Sequence, residues 1–262
     1  MSVENLLQGK VVVVSGIGPG LGRSIAVRSA QAGADVVLAA RTESRLSEVA
    51  KEVTDLGRRA VAVRTDIDDA DSAANLVNEA VEAFGRVDTV VHNAFAVPPL
   101  TDLATVDFDG VRAGFETAAI SVLRLTRLFL PALKESKGSL VMINSAVLRH
   151  SRRTFGAYKM AKSALLSLSQ SLASELGPDG VRVNTVAPGY IWGPNLQWYF
   201  TYLAKERGIT PEDVYAETAS TTDLRKLPEP DEIADAVVFL ASPMARAITG
   251  QCLDVNGGEY HH

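Results

Sequence analysis

VVVVSGIGPGLG, residues 11–22, decides how the rest of this 262-residue chain is read. Four consecutive valines with no polar alternation predict a strand buried on both faces, as in a parallel sheet. A glycine-rich turn follows, and a helix is predicted near 21–32, ended by Gly33. Gly16, Gly20 and Gly22 stand in a GxxxGxG spacing, with Gly18 as an extra glycine and Pro19 beside it; the commoner GxGxxG register is not met. Glycines at such a junction let the chain turn tightly and let a pyrophosphate approach the N–H groups of the helix N-terminus. A loop that merely needs positive φ angles would also use glycine. Its place between the first strand and the first helix favours phosphate binding.

Working outward, short β-branched runs alternate with longer amphipathic segments. Strands are predicted at 35–40, 60–65, 87–93, 139–145, 181–188 and within 251–258, and helices at 43–56, 69–84, 107–134, 154–177 and 230–241. This alternation implies right-handed crossovers and a doubly wound parallel α/β sheet of seven strands, a three-layer Rossmann-type fold in one domain over 1–262. The stretch 189–229 reads as one long irregular segment, and loops of that length tend to be functional lids.

Composition narrows the classes. Hydrophobic residues make up 47% of the chain, enough for a large core, and the net charge of −5 argues against a nucleic-acid-binding face. One cysteine, Cys252, excludes an intrachain disulfide and reads as a small buried side chain; no Cys/His spacing resembles a metal site. MSVENLLQGK at 1–10 lacks the apolar core of a signal peptide, and no run of 18 apolar residues exists. A cytoplasmic protein without membrane or nucleic-acid partners is expected. His261 and His262 carry no inference.

In a dinucleotide-binding fold the residue ending strand two meets the adenosine ribose. An acid there favours the 2′-OH of NAD(H). Here the strand ends Ala39-Ala40-Arg41-Thr42, and Arg41, with Arg45 one helical turn on, suits a 2′-phosphate. NADP(H) is therefore favoured and NAD(H) is possible, although Arg41 facing solvent or stacking on adenine is a competing reading. Asp66, after strand three, accepts from an adenine amino group or caps a turn.

Tyr158 and Lys162 lie four apart on one helix face, and Ser145 ends strand five, at the edge where doubly wound sheets bind ligands. A free phenol titrates at about 10, poorly matched to proton transfer near neutrality. A lysine ammonium beside it favours phenolate. Ser145 would hold a carbonyl or alcohol oxygen and share its developing charge.

In these motifs the chain resembles the short-chain dehydrogenase/reductase family over essentially its whole length. The glycine turn, Asp66, His92-Asn93-Ala94-Phe95, Ser145, Tyr158/Lys162 and Asn184-Thr-Val-Ala-Pro188-Gly189 fall in family order with family spacing. The resemblance implies strand order 3-2-1-4-5-6-7 and a nicotinamide cofactor. It implies Tyr158 as general acid/base, Lys162 on the nicotinamide ribose and Ser145 positioning a small-molecule substrate. Leu21, Ile67, Asn93 and Ala94 would line the cofactor, and Pro188, Gly189 and Ile191 its nicotinamide end. Homotetramers or homodimers through the two long helices are usual in the family. Three departures stand out. Phe95 replaces a usual glycine. Ala118 replaces the Asn that normally kinks the helix and binds a relay water, with Thr117 or Ser121 as possible substitutes. Gly193 stands where a Thr usually contacts the carboxamide.

Tyr190, Trp192, Trp198, Tyr199, Phe200, Tyr202 and Tyr215 concentrate aromatics in the 189–229 stretch, which suits a bulky apolar or ring-containing substrate or, alternatively, packing under a lid or at a subunit interface. Arg149, His150, Arg152 and Arg153 either meet an acidic substrate group or lie in a solvated or intersubunit loop. The activity expected is hydride transfer on a carbonyl or alcohol. Reduction of a 3-oxoacyl thioester and a cofactor-binding regulatory role are the alternatives.

Overall fold

A computed structural model of the chain describes residues 5–261; residues 1–4 and His262 lie outside it. Seven strands form one sheet: β1 Val11–Ser15, β2 Asp35–Ala40, β3 Ala60–Arg64, β4 Thr89–His92, β5 Ser139–Ile143, β6 Arg182–Pro188 and β7 Cys252–Val255. Their order is β3-β2-β1-β4-β5-β6-β7 and every pairing is parallel. The helices are α1 Leu21–Gln31, α2 Glu43–Asp55, α3 Ala70–Phe84, α4 Phe108–Phe115, α5 Ser121–Ser136, α6 Gly156–Leu176, α7 Pro194–Arg207, α8 Pro211–Ala219 and α9 Pro230–Ala241. None of the described helices is long and apolar enough to cross a membrane.

The valine run shows why the sheet is buried on both sides. Side chains alternate along a strand. Val12 and Val14 pack with Ile25 of α1, Leu46 of α2 and Val237 of α9, while Val11 and Val13 pack on the opposite face with Leu76 of α3, Phe129 of α5 and Leu172 of α6. Each valine fully buried in this way contributes about 1.5 kcal/mol or more. Strand order reverses at β1, whose neighbours are β2 and β4. A reversal leaves a crevice beyond the carboxyl ends of the two diverging strands.

Two expectations need correction. The segment 189–229 is not irregular: it holds α7 and α8 around a small core of Phe200, Ala204, Val214, Ala219 and Leu227. Pro194 and Pro211 open the two helices, and the Thr210 and Asp213 side chains cap α8 reciprocally. The predicted helix 107–134 is likewise interrupted, since Glu116–Ile120 forms a widened π turn between α4 and α5.

Candidate active site

The crevice at the β1/β4 reversal is a cleft of about 710 Å³, and every cofactor and catalytic residue named from the sequence lines it. At the end formed by the glycine turn the backbone packing demands glycine. Gly16 has φ +100°, and a Cβ there would lie 2.3 Å from the Ala94 nitrogen; one on Gly22 would lie 2.2 Å from the Gly16 carbonyl oxygen. Asn93 fastens the turn, its Nδ2 donating to the Gly16 carbonyl at 2.6 Å. Gly20 caps α1 without a side chain, and the first turn of α1 carries no acid. The cleft-facing end of an 11-residue helix is thus bare, glycine-walled and free of negative charge, which fits a pyrophosphate. Arg41 and Arg45 are exposed beside it, and no ion-pair partner engages either among the described residues.

At the other end, β5 stops at Ile143 and delivers Asn144 and Ser145 to the cleft, while α6 presents Tyr158 and Lys162 from one face. The Ser145 and Tyr158 hydroxyls are hydrogen-bonded. Burial pushes the Tyr158 phenol above its ordinary value, and the Ser145 bond pulls it part of the way back. Lys162 Nζ donates to the Ile143 carbonyl at 2.7 Å and lies 6.0 Å from the Tyr158 ring and 5.6 Å from the Phe95 ring. Burial, with 4% of the residue exposed, lowers its pKa from 10.5 to about 8. Asn144, which the sequence reading missed, joins the parts: its Oδ1 accepts from the Ser145 N–H at 3.0 Å and its Nδ2 donates to the Lys162 carbonyl at 3.2 Å. The available signal was a buried amide ending an apolar strand, beside the serine.

Over residues 16–260 the chain matches the family model described as enoyl-(acyl carrier protein) reductase. The chain belongs to the short-chain dehydrogenase/reductase family. It is 33% identical over 258 residues to the 7alpha-hydroxysteroid dehydrogenase of Escherichia coli K12, covering 97% of this chain and 96% of the relative. Among solved structures it is similar to L-sorbose reductase from Gluconobacter frateurii complexed with NADPH and L-sorbose (TM-score 0.92, 27% identity, covering 99% of this chain and 98% of that one). It is also similar to carveol dehydrogenase from Mycobacterium avium in complex with NAD (TM-score 0.89, 28% identity, covering 97% and 99%). The chain is accordingly a nicotinamide-dependent oxidoreductase.

As a short-chain dehydrogenase/reductase it departs from expectation in several places. The π turn holds Ala118, 6% exposed, where the usual amide would stand. Neighbouring Thr117 donates to Asp68 Oδ2 at 2.7 Å, and the Ser121 hydroxyl accepts from Arg124, so both suggested substitutes have other partners. Gly193 caps α7 at the cleft wall. Asp66 lines the cleft, but its Oδ1 accepts from the Asp68 N–H at 3.1 Å, the turn-capping alternative. Of the seven aromatics only Tyr190 and Tyr199 line the cleft. Trp192 packs against Phe200 and Tyr215, and Trp198 stacks on Tyr202 at the surface. The three arginines after Ser145 do not line the cleft; Arg149 pairs with Asp254, Arg152 with Glu259 and Arg153 with Asp102. Cys252 is half-buried on the edge strand β7, not fully buried.

Proposed function

We propose that the chain interconverts a carbonyl and an alcohol on a bulky apolar or ring-containing substrate, with NADP(H) favoured over NAD(H). The observation that carries the reading is the convergence of Ser145, Tyr158 and Lys162 at one end of the cleft whose other end is the bare helix terminus. Bound there, a nicotinamide cofactor supplies or accepts the hydride; the glycine turn, Asn93 and Ala94 would hold it, with Pro188, Gly189 and Ile191 at its nicotinamide end. Arg41 and Arg45 support a 2′-phosphate, since no carboxylate lines the cleft between Ala39 and Arg45. The relatives' named ligands, a steroid, a sugar and two cofactor types, support the class without selecting a member of it.

In the reduction direction Tyr158 delivers its proton to the developing alkoxide, and Ser145 donates a hydrogen bond to the same oxygen. A raised phenol pKa keeps Tyr158 protonated at neutral pH and ready as the acid. Lys162 stands within Coulombic reach and stabilises the phenolate left behind. Asn144 holds both the serine backbone and the α6 backbone at Lys162. The segment 189–229 forms the substrate side, and its two cleft-lining aromatics suit an apolar body. The pairing of Arg149, Arg152 and Arg153 with acids removes the reason to favour an acidic carrier. Association through α4, the π turn, α5 and α6, where Phe108, Ile120 and Met160 are exposed, is part of the same reading.

Tyr158→Phe keeps the ring and removes the proton, so kcat should fall by roughly 10²–10⁴ while cofactor still binds. Retained turnover in this variant overturns the assignment. Arg41→Ala should bring the NADPH and NADH affinities, measured by cofactor fluorescence, closer together by about tenfold, the worth of one charge-assisted phosphate contact. An unchanged ratio removes the preference and leaves the chemistry standing.

A further inference from the structure

Arg152 lies on the loop between Ser145 and α6, outside the cleft wall, yet it reaches three side chains in two other parts of the molecule. Its Nη1 donates to the Tyr190 hydroxyl at 3.0 Å, and its Nη2 donates to Glu259 Oε1 at 3.2 Å and to the Tyr260 hydroxyl at 2.6 Å. Tyr190 lines the cleft; Arg152 does not. The Tyr190 hydroxyl is therefore engaged by a guanidinium that does not itself line the cleft. The tie is braced from behind. The Glu259 side chain is only 5% exposed although its arginine partner is 45% exposed, and Glu259 Oε2 stands 2.7 Å from where a Cβ on Gly189 would be. Glycine at 189 leaves room for the carboxylate where it stands. The turn carrying it is held by Asn256, whose Oδ1 accepts from the Gly258 N–H at 2.9 Å and whose Nδ2 donates to the Tyr260 carbonyl at 3.0 Å. His150, from the Arg152 loop, packs its ring 5.1 Å from that of Tyr260.

We infer that Arg152 is a positioning residue that holds the Tyr190 hydroxyl out of the cleft, so that the substrate meets the face of a ring and not a phenol. The inference rests on the reading that this cleft takes the substrate. A buried polar group left facing an apolar ligand is costly, whereas one facing a polyhydroxylated ligand finds partners. Arg152 thereby selects apolar substrates through Tyr190, and Glu259 and Tyr260 keep the guanidinium in place. A guanidinium suits this role because its fixed fork reaches two acceptors at once, which an ammonium cannot do with the same geometry.

The test compares Arg152→Gln in chains carrying Tyr190 and in chains carrying Tyr190→Phe. Two readouts are used. The first is acrylamide quenching of Trp192 in a Trp198→Phe background, where Trp192 is the sole tryptophan of the two in the chain. Arg152→Gln should raise quenching when Tyr190 is present and leave it unchanged in the Tyr190→Phe chain. The second is the ratio of kcat/KM for NADPH-dependent reduction of cyclohexanone and of L-sorbose. Arg152→Gln should shift this ratio toward the sugar by about tenfold, the scale of one mispaired polar group at a substrate wall, and only in the Tyr190 chain. Arg152→Lys should fall between the two. Equal effects in both backgrounds, or none in either, overturn the inference. A wild-type chain that reduces neither ketone and binds no NADPH overturns the proposed function instead, while the quenching comparison still decides the role of Arg152.

Discussion

Lys162 carries a burial cost. Burial lowers its pKa from 10.5 to about 8. Below about 8 the lysine is charged in both the folded and the unfolded chain, and the folded one bears the full desolvation cost. Between about 8 and 10.5 the unfolded chain binds a proton that the folded chain does not, so this group's contribution to stability rises with pH. The cost near neutrality is about 3 kcal/mol. Lys162→Met should therefore make the chain more stable by up to that amount at pH 7, with the gain shrinking toward pH 10, while turnover is lost. Urea unfolding at the two pH values checks it; a variant less stable at pH 7 means that the Ile143 carbonyl and the Phe95 and Tyr158 rings already offset the burial. The position of Lys162, four residues after Tyr158, was legible in the sequence. Its burial and its lowered pKa were not, because they come from β5 and the Phe95 loop packed over it.

At the scale of elements, the π turn Glu116–Ile120 and the helices α7 and α8 diverge most from a reading by pattern. A π turn has no periodic signature, since it inserts one residue into an otherwise regular helix. Here it persists with alanine at 118, so the usual amide is not required for the π turn; Thr117 bonds to Asp68 and Arg124 to Glu116 on its two sides. What the amide would add is a polar partner for a relay water, which needs two to four such partners. Ala118→Asn should raise kcat by about threefold and lower the solvent isotope effect if proton resupply to Tyr158 limits the rate. No change in either measurement means that the relay is complete without an amide. α7 escaped a periodicity reading because its aromatics divide between two jobs: Phe200 is 2% exposed in the local core, while Trp198 is 71% exposed. The end signals, Gly193-Pro194 and Thr210-Pro211-Glu212-Asp213, were present in the sequence and carried more than the apolar pattern did.

At the scale of the whole molecule the described residues form three apolar clusters, two spanning the sheet faces and one confined to the 189–229 segment and its surroundings. The third has five buried residues, against 24 and 23 in the other two. Opening it exposes far less apolar surface than opening the sheet. Amides of α7 and α8 should accordingly exchange with solvent at a lower free energy than those of β1 and β4, in a sub-global unit of their own. Native-state hydrogen exchange measures this, and equal protection in the two regions would show that the segment unfolds only with the sheet. Such a low-stability unit over a cleft suits substrate entry.

The sheet and the line of the cleft follow from signals local in the chain. Continuous valines, glycines at strand-to-helix junctions and the Ser145, Tyr158, Lys162 spacing are local signals, each tied to a backbone geometry that few other residues permit. Tertiary structure alone decided which side chains face the cleft. Tyr190 lines the cleft while Trp192 and Phe200 do not, the arginines after Ser145 are bound by acids more than 45 residues away, and Glu259 reaches back to Gly189. The reason is physical. A turn or a strand is specified by neighbours along the chain, whereas the orientation of an aromatic ring or a guanidinium is settled by partners that only the closed fold brings within reach.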